Sequence, residues 1–306
     1  MSSIVVVGSM AFDTIETPFG KQDKILGGSA NYFSLSASQF VPVKCVSVVG
    51  QDFPKEHLDL LKSRNIDLAG VRHGDGDTFH WSGRYGYDLN EAQTLGTELN
   101  VFETFEPELP ESYRDAKYVF LGNIAPPLQM KVLEQVRKPQ FVALDSMNFW
   151  IEGQRDALIK AISKCNAVVI NEGEVRQLTE KYNMVDAAQV IRKWGPQILV
   201  VKRGEYGAVL FDHGDPFCVP GLPLAEVKDP TGAGDTFAGG FVGFLASQAN
   251  TSLSRELLRR AVVYGSVLAS FTVQDFGFGE LLKLSREKIE ERYRRFVELT
   301  RFTRVA

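Results

Sequence analysis

The stretch "VKDPTGAGDTFAGGFVGFLA" at residues 227–246 sets five glycines and two aspartates into the start of an apolar run. Gly232 and Gly234 free the backbone for unusual dihedrals, so successive N–H groups can converge on one small space. The following "DTFAGGFVGFLASQ" reads as a helix, and those N–H groups are the free donors of its first turn. The expected result is an anion hole at the positive end of a helix dipole. Such a hole suits charge that develops on a transferring phosphoryl group. Asp235 falls in the first turn, where its carboxylate either caps the helix or takes a proton from an attacking hydroxyl. Paired glycines favour the second role, since a simple cap has no need of them. Inside the helix, Gly239, Gly240 and Gly243 each cost about 1 kcal/mol relative to Ala. Close packing against neighbouring helices or a ligand would offset that.

Outward from this loop the chain alternates two patterns. Short β-branched runs recur: "SIVVVG", "VKCVSVVG", "KYVFLG", "QFVALD", "NAVVIN" and "QILVVK". Their near-continuous hydrophobicity is that of strands buried on both faces, hence a central, mostly parallel sheet. Helical periodicity fits residues 29–40, 54–65, 127–138, 155–166, 186–195 and 254–276. The alternation predicts a doubly wound α/β fold. Residues 13–27 and 75–103, rich in Thr, Gly and aromatics, break the rhythm. Both are expected to be strands of one small sheet, a lid over the carboxyl edge of the main sheet.

At 306 residues and 44% hydrophobic, the chain can form one large core, read as a single domain over residues 1–306 with the lid as appendage. A net charge of −4 and a pI near 5.7, with no Lys/Arg run, leave no footprint for nucleic acid. No apolar stretch reaches the roughly 20 residues of a membrane span. The start, "MSSIVVVGSM", lacks a basic leader and reads as a first strand, so a soluble cytoplasmic chain is expected. Cys45, Cys165 and Cys218 show no CxxC spacing and read as buried free thiols.

The segment "DPTGAGDTFAGGFVGFL" closely resembles the second signature of the PfkB family of carbohydrate and nucleoside kinases, whose fold is ribokinase-like. The resemblance runs in order through "VVVGSMAFD", "GGSAN" at 27–31, "NEGE" at 171–174 and "VKRGEYGAVLF" at 201–211. It implies an ATP-dependent phosphotransferase acting on an alcohol group, with Asp235 as catalytic base and the amides of Gly232, Ala233 and Gly234 as anion hole. Thr231 would orient the loop, and Asp229 would lie near a site for a monovalent cation such as K⁺. Asn171 and Glu174 match the family's N-x-x-E and would hold Mg²⁺ through water, although the same spacing is also that of an ordinary helix cap. Lys202 would reach a phosphate of ATP and Gly204 would let the backbone approach it, whereas Arg203 reads as a solvated surface residue. The adenine would lie between the loop after this hairpin and the helix near Tyr264 to Phe271.

On the acceptor side the resemblance implies that Asp13, with Gly27, Gly28 and Asn31, binds substrate hydroxyls. Period 2 in "FHWSGRYGYD" puts Phe79, Trp81, Tyr85 and Tyr87 on one face of the lid and His80, Ser82, Arg84 and Asp88 on the other. The aromatic face, with Trp81, could cover a sugar, stack on a purine, or pack against the lid of a second copy, as in the family's homodimers. Arg84 could meet an anionic substrate or simply face solvent. Asn123 and Asn148 lie near strand ends where the acceptor would sit. The run "DSMNFW" departs from the Asp-x-Asn-x-Arg of the family's acid-sugar kinases. That ranks a neutral sugar narrowly ahead of a nucleoside as acceptor.

The rivals fit less well. No GxGxxG follows the first strand and no GxxxxGK[ST] occurs, against a dinucleotide or P-loop enzyme. "HGDGDTFH" at 73–80 lacks further metal ligands and reads as a lid-entry turn. A kinase-shaped binding protein without turnover is opposed by the intact Asp235, glycines and N-x-x-E.

Overall fold

A computed structural model gives the fold, and the structure describes residues 3–248 and 251–301. Its strands, in chain order, are β1 (Ile4–Val7), β2 (Ala11–Thr17), β3 (Gly20–Gly27), β4 (Val43–Val49), β5 (Ile66–His73), β6 (His80–Tyr85) and β7 (Ala92–Glu98). They continue as β8 (Tyr118–Leu121), β9 (Phe141–Leu144), β10 (Ala167–Asn171), β11 (Ile198–Lys202), β12 (Ala208–Phe211) and β13 (Phe217–Val219). Nine of them form one sheet, ordered β13-β12-β11-β10-β9-β8-β1-β4-β5. It is parallel except at one edge, where β12 and β13 run antiparallel.

β1 shows why the apolar runs read so plainly. Ile4 and Val6 enter the core on one face of the sheet, and Val5 and Val7 enter the core on the other. A strand covered on both sides has no position for a polar side chain. The helices Ser29–Ala37, Ala233–Ser247 and Arg255–Thr272 cover the first face; Pro126–Gln135, Arg155–Ile162, Glu172–Thr179 and Met184–Lys193 cover the second. This is the expected doubly wound α/β class. The glycines inside the Ala233–Ser247 helix sit where neighbouring helices approach most closely. A methyl on Gly240 would lie 2.9 Å from the Tyr264 carbonyl oxygen, and one on Gly243 would lie 2.9 Å from Ala37 Cα.

The small sheet has the order β3-β2-β6-β7, with β2 and β6 parallel and the outer pairs antiparallel. It draws on the two expected regions, although β2 begins earlier, at Ala11, and residues 75–79 are irregular. Thr78 closes that turn by donating both its N–H and its hydroxyl to Asp52 Oδ1 at 2.7 Å. Phe79 lies outside β6 and packs on Phe102, and Tyr87 lies beyond its end at 93% exposure, so the four aromatics do not form one face. Cys45 and Cys165 are buried, but Cys218, on the edge strand β13, is exposed. No described helix is long and apolar enough to cross a membrane.

Candidate active site

Three polar residues meet where parallel strands end. Asp145 follows β9, and Asn171 and Lys202 are the last residues of β10 and β11. Carboxyl ends of neighbouring parallel strands are the common place for a ligand in such a sheet. Lys202 Nζ donates to Asp145 Oδ2 at 2.8 Å, with both side chains largely buried. Burial alone would lower the Lys202 pKa, but the charges of Asp145, Glu174 and Asp235 outweigh it and keep the ammonium protonated. The ammonium, expected to reach a phosphate of ATP, is therefore already paired with Asp145.

The Gly232 turn faces this pair. Gly232 caps the Ala233–Ser247 helix in the left-handed region at φ 73°, flat against the Tyr32 ring, where a Cβ would clash. A methyl on Gly234 would lie 2.9 Å from Lys202 Nζ, so the ammonium and the first helical turn are neighbours. The Ala233 N–H donates to the Pro230 carbonyl at 3.1 Å. It is not a free anion donor in this conformation. The N–H groups of Gly232 and Gly234 donate to no acceptor among the described residues. Asp235 stands beside them. Burial, then the charge of Asp145, pushes its carboxyl up to about 7, with Lys202 opposing.

Asn171 and Glu174 close a reciprocal cap on the Glu172–Thr179 helix. Asn171 Oδ1 accepts the Glu174 N–H at 2.8 Å, and Glu174 Oε2 accepts the Asn171 N–H at 2.8 Å. One Glu174 oxygen is left over. Burial and the Asp145 charge raise this carboxyl to about 8. Among the described residues no group of three or more His, Cys, Asp or Glu side chains could hold a bare metal ion. Arg203, expected to be solvated, instead donates to Glu172 at 2.6 Å.

Asp13 on β2 lies under the small sheet, buried against Gly27, where a Cβ would overlap its carboxylate. Burial, then the charges of Asp229 and Asp235, push it up to about 8, with the Gly28 backbone opposing. Asn31 donates to the Gly27 carbonyl at 2.6 Å, while its buried Oδ1 has no partner among the described residues. The same holds for Tyr32 Oη and Asp229 Oδ2. Asp229 Oδ1 accepts the Thr231 N–H at 2.9 Å. Unpartnered buried polar atoms collected in one cleft are what a polyhydroxylated ligand would satisfy.

Residues 1–283 match the profile of the pfkB family of carbohydrate kinases. The chain belongs to that family. Among relatives of this pfkB member is the cytidine kinase of Thermococcus kodakarensis, 34% identical over 249 residues, which are 79% of this chain and 88% of that protein. The nucleoside kinase of Methanocaldococcus jannaschii has the same fold, with a TM-score of 0.77 at 20% identity over 96% of this chain and 99% of that one. So does a putative ribokinase II from E. coli in complex with ATP and Mg²⁺, with a TM-score of 0.78 at 19% identity over 96% of this chain and 100% of that one. This chain is accordingly a phosphotransferase of the pfkB family.

Several residues expected at the site, from the strand periodicity or from the pfkB resemblance, stand apart from the Lys202–Asp235 cluster. Arg84 makes an exposed ion pair with Glu16 at 3.0 Å, on the face of the small sheet opposite Asp13. Trp81 shares the Asp13 face but lies along its own strand over Gly83, with Nε1 donating to Thr94 Oγ1 at 3.3 Å. Both polar ends of Asn123 are engaged: Nδ2 donates to Met147 Sδ at 3.0 Å, and Oδ1 accepts from Trp150 Nε1 at 2.9 Å. Tyr264 is core, stacked on Phe244 and Tyr293 and bonded to Glu290, and Arg292 covers Phe271, so neither forms an open adenine wall. Gly204, at φ 55°, faces Asn90 of the β6–β7 loop. Asp145 and Tyr32 join the site without having been singled out for it, whereas Tyr85, expected on an aromatic face over the acceptor, meets Thr231 of the Gly232 turn instead. The signal for Asp145 was its place at the end of "FVALD", in line with Asn171 and Lys202.

Proposed function

We propose that the chain transfers the γ-phosphoryl group of Mg·ATP to a hydroxyl of a nucleoside, with Asp235 as general base. The observation that carries this is Asp235, raised to about 7, beside the unclaimed N–H groups of Gly232 and Gly234 and the Lys202 ammonium. Asp235 takes the proton of the attacking hydroxyl, the new O–P bond forms, and the bridge oxygen leaves on ADP. The free amides and Lys202 stabilise charge on the moving phosphoryl group. Thr231 sets the start of the loop through Asp229. The spare Glu174 oxygen with Asn171 would hold Mg²⁺ through water, in keeping with its preference for few direct protein ligands, and the ion would supply charge neutralisation on the phosphates. Asp229 Oδ2 suits a monovalent cation.

The acceptor lies between Asp13, Asn31 and the Gly27–Gly28 backbone, beneath the small sheet acting as lid. A nucleoside now ranks ahead of a neutral sugar because the cytidine kinase matches over most of both chains. The open edge of β7, with Leu95 half-exposed, offers a second copy a surface for a homodimer. The whole of residues 1–306 then works as one cytoplasmic catalytic unit.

The test is Mg·ATP turnover over cytidine, uridine, adenosine, inosine, ribose and fructose. Nucleosides should exceed the free sugars by at least tenfold in kcat/KM. The reverse order moves the acceptor to the sugars. Tight nucleotide binding with no acceptor turned over would leave a silent binding protein and end this reading.

A further inference from the structure

The β6–β7 hairpin touches the nucleotide side of the cleft at two separate points. Tyr85, the last residue of β6, accepts a hydrogen bond from Thr231 Oγ1 at 3.2 Å. Thr231 immediately precedes Gly232 and is itself fixed by Asp229. At the hairpin tip, Asn90 Oδ1 lies against Gly204, where a Cβ would overlap it, and accepts the Glu205 N–H at 3.4 Å. Neither partner belongs to the small sheet. The first belongs to the Gly232 turn and the second to the turn after β11, the two loops that flank Lys202.

The root of the hairpin lies on the acceptor side. β6 pairs in parallel with β2, so Trp81 sits beside Asp13, and Tyr85 shares their face two positions beyond Gly83. The Tyr85 phenol is raised by burial and feels the carboxylates of Asp229, Asp13 and Asp235. It stays protonated and has its own proton left to donate, since Thr231 supplies the one in their bond.

We propose that Tyr85 is a positioning residue that ties the acceptor lid to the Gly232 turn, with Asn90 as a second tie to the Gly204 turn, so that the two substrate sites are ordered together. This rests on the reading of the Gly232 turn as the phosphate site. A nucleotide that orders this turn orders the hairpin, and by reciprocity an acceptor that orders the hairpin favours nucleotide.

Hydrogen exchange with and without Mg²⁺ and the non-hydrolysable analogue AMP-PNP tests the coupling without needing an acceptor. In the wild type, the analogue should slow exchange in residues 82–92 by at least about fivefold. Tyr85→Phe keeps the ring and Asn90→Ala changes only an exposed tip. In each, the slowing over 82–92 should fall below about twofold, whereas residues 229–236 remain protected as in the wild type. Unchanged slowing of the hairpin in both variants, or none in the wild type while 229–236 is protected, overturns the proposal. No protection at 229–236 in the wild type overturns the phosphate-site reading beneath it.

Discussion

Asp235 owes its suitability as a base to its neighbours more than to its own position. An exposed carboxylate near the usual value would hold a proton too weakly to draw one from an alcohol, whereas burial and Asp145 lift Asp235 to about 7. The proposed base must be ionised, so kcat/KM should fall about tenfold per pH unit below about 7 and level off above it. Asp145→Asn removes one of the two causes that raise this group. It should move the acid limb to lower pH, as read from a pH–rate profile with cytidine or the best acceptor. An unmoved limb would assign it to another group. Asp235→Asn should lower kcat by about 10²–10⁴ with nucleotide affinity little changed.

At the scale of elements, the Gly232 turn and the Asn171 cap show what could and could not be read from the chain. The cap was legible as N-x-x-E because its spacing is local, and the structure gives it both hydrogen bonds. The turn was legible because two glycines before an apolar helix have few other uses. What holds Gly232 in place was not: Tyr32 lies two hundred positions earlier, on another helix. Gly232→Ala would meet both that ring and a left-handed φ. It should destabilise the fold by about 1–3 kcal/mol in denaturant titrations and weaken Mg·AMP-PNP binding. β5 was missed for the opposite reason to β1. Its alternate residues face solvent, and "IDLAGVRH" lacks a continuous apolar run. The helix Arg286–Thr300 buries only Ile289 and Phe296 and reads as a charged tail. The pairing of Lys202 with Asp145 depends on β9 and β11 flanking β10, an order that no single segment carries.

Across the whole molecule, the cleft collects carboxylates that burial has raised: Asp13 to about 8, Glu174 to about 8 and Asp235 to about 7. The folded state holds these protons more tightly than the unfolded chain. Their contribution to stability is present below the ordinary carboxylate range and is lost as the pH rises towards 8. Asp13→Asn removes one such loss. The variant should gain stability over the wild type at pH 8 and much less at pH 5, measured by chemical denaturation at both. An equal gain at both pH values would mean that ionisation is not the cause. The gain should come with a higher acceptor KM, since this buried carboxylate is the proposed ligand for hydroxyls.

The strand order has a consequence for how the protein is made. β1, near the start of the chain, is completed on one side by β4 and on the other by β8, with Ile4 opposite both Val43 and Tyr118. A ribosome adding about 5–20 residues per second must therefore extend the nascent chain well beyond β4 before one flank of β1 is covered. The face under the Ala233–Ser247 helix waits until much later. Both flanks of β1 are covered once β8 has emerged, but the apolar face of these early strands stays only partly covered until that helix follows. Exposed apolar surface of that kind is prone to aggregate, and the Asp229 and Asp235 charges that raise Asp13 reach it only as the last third emerges.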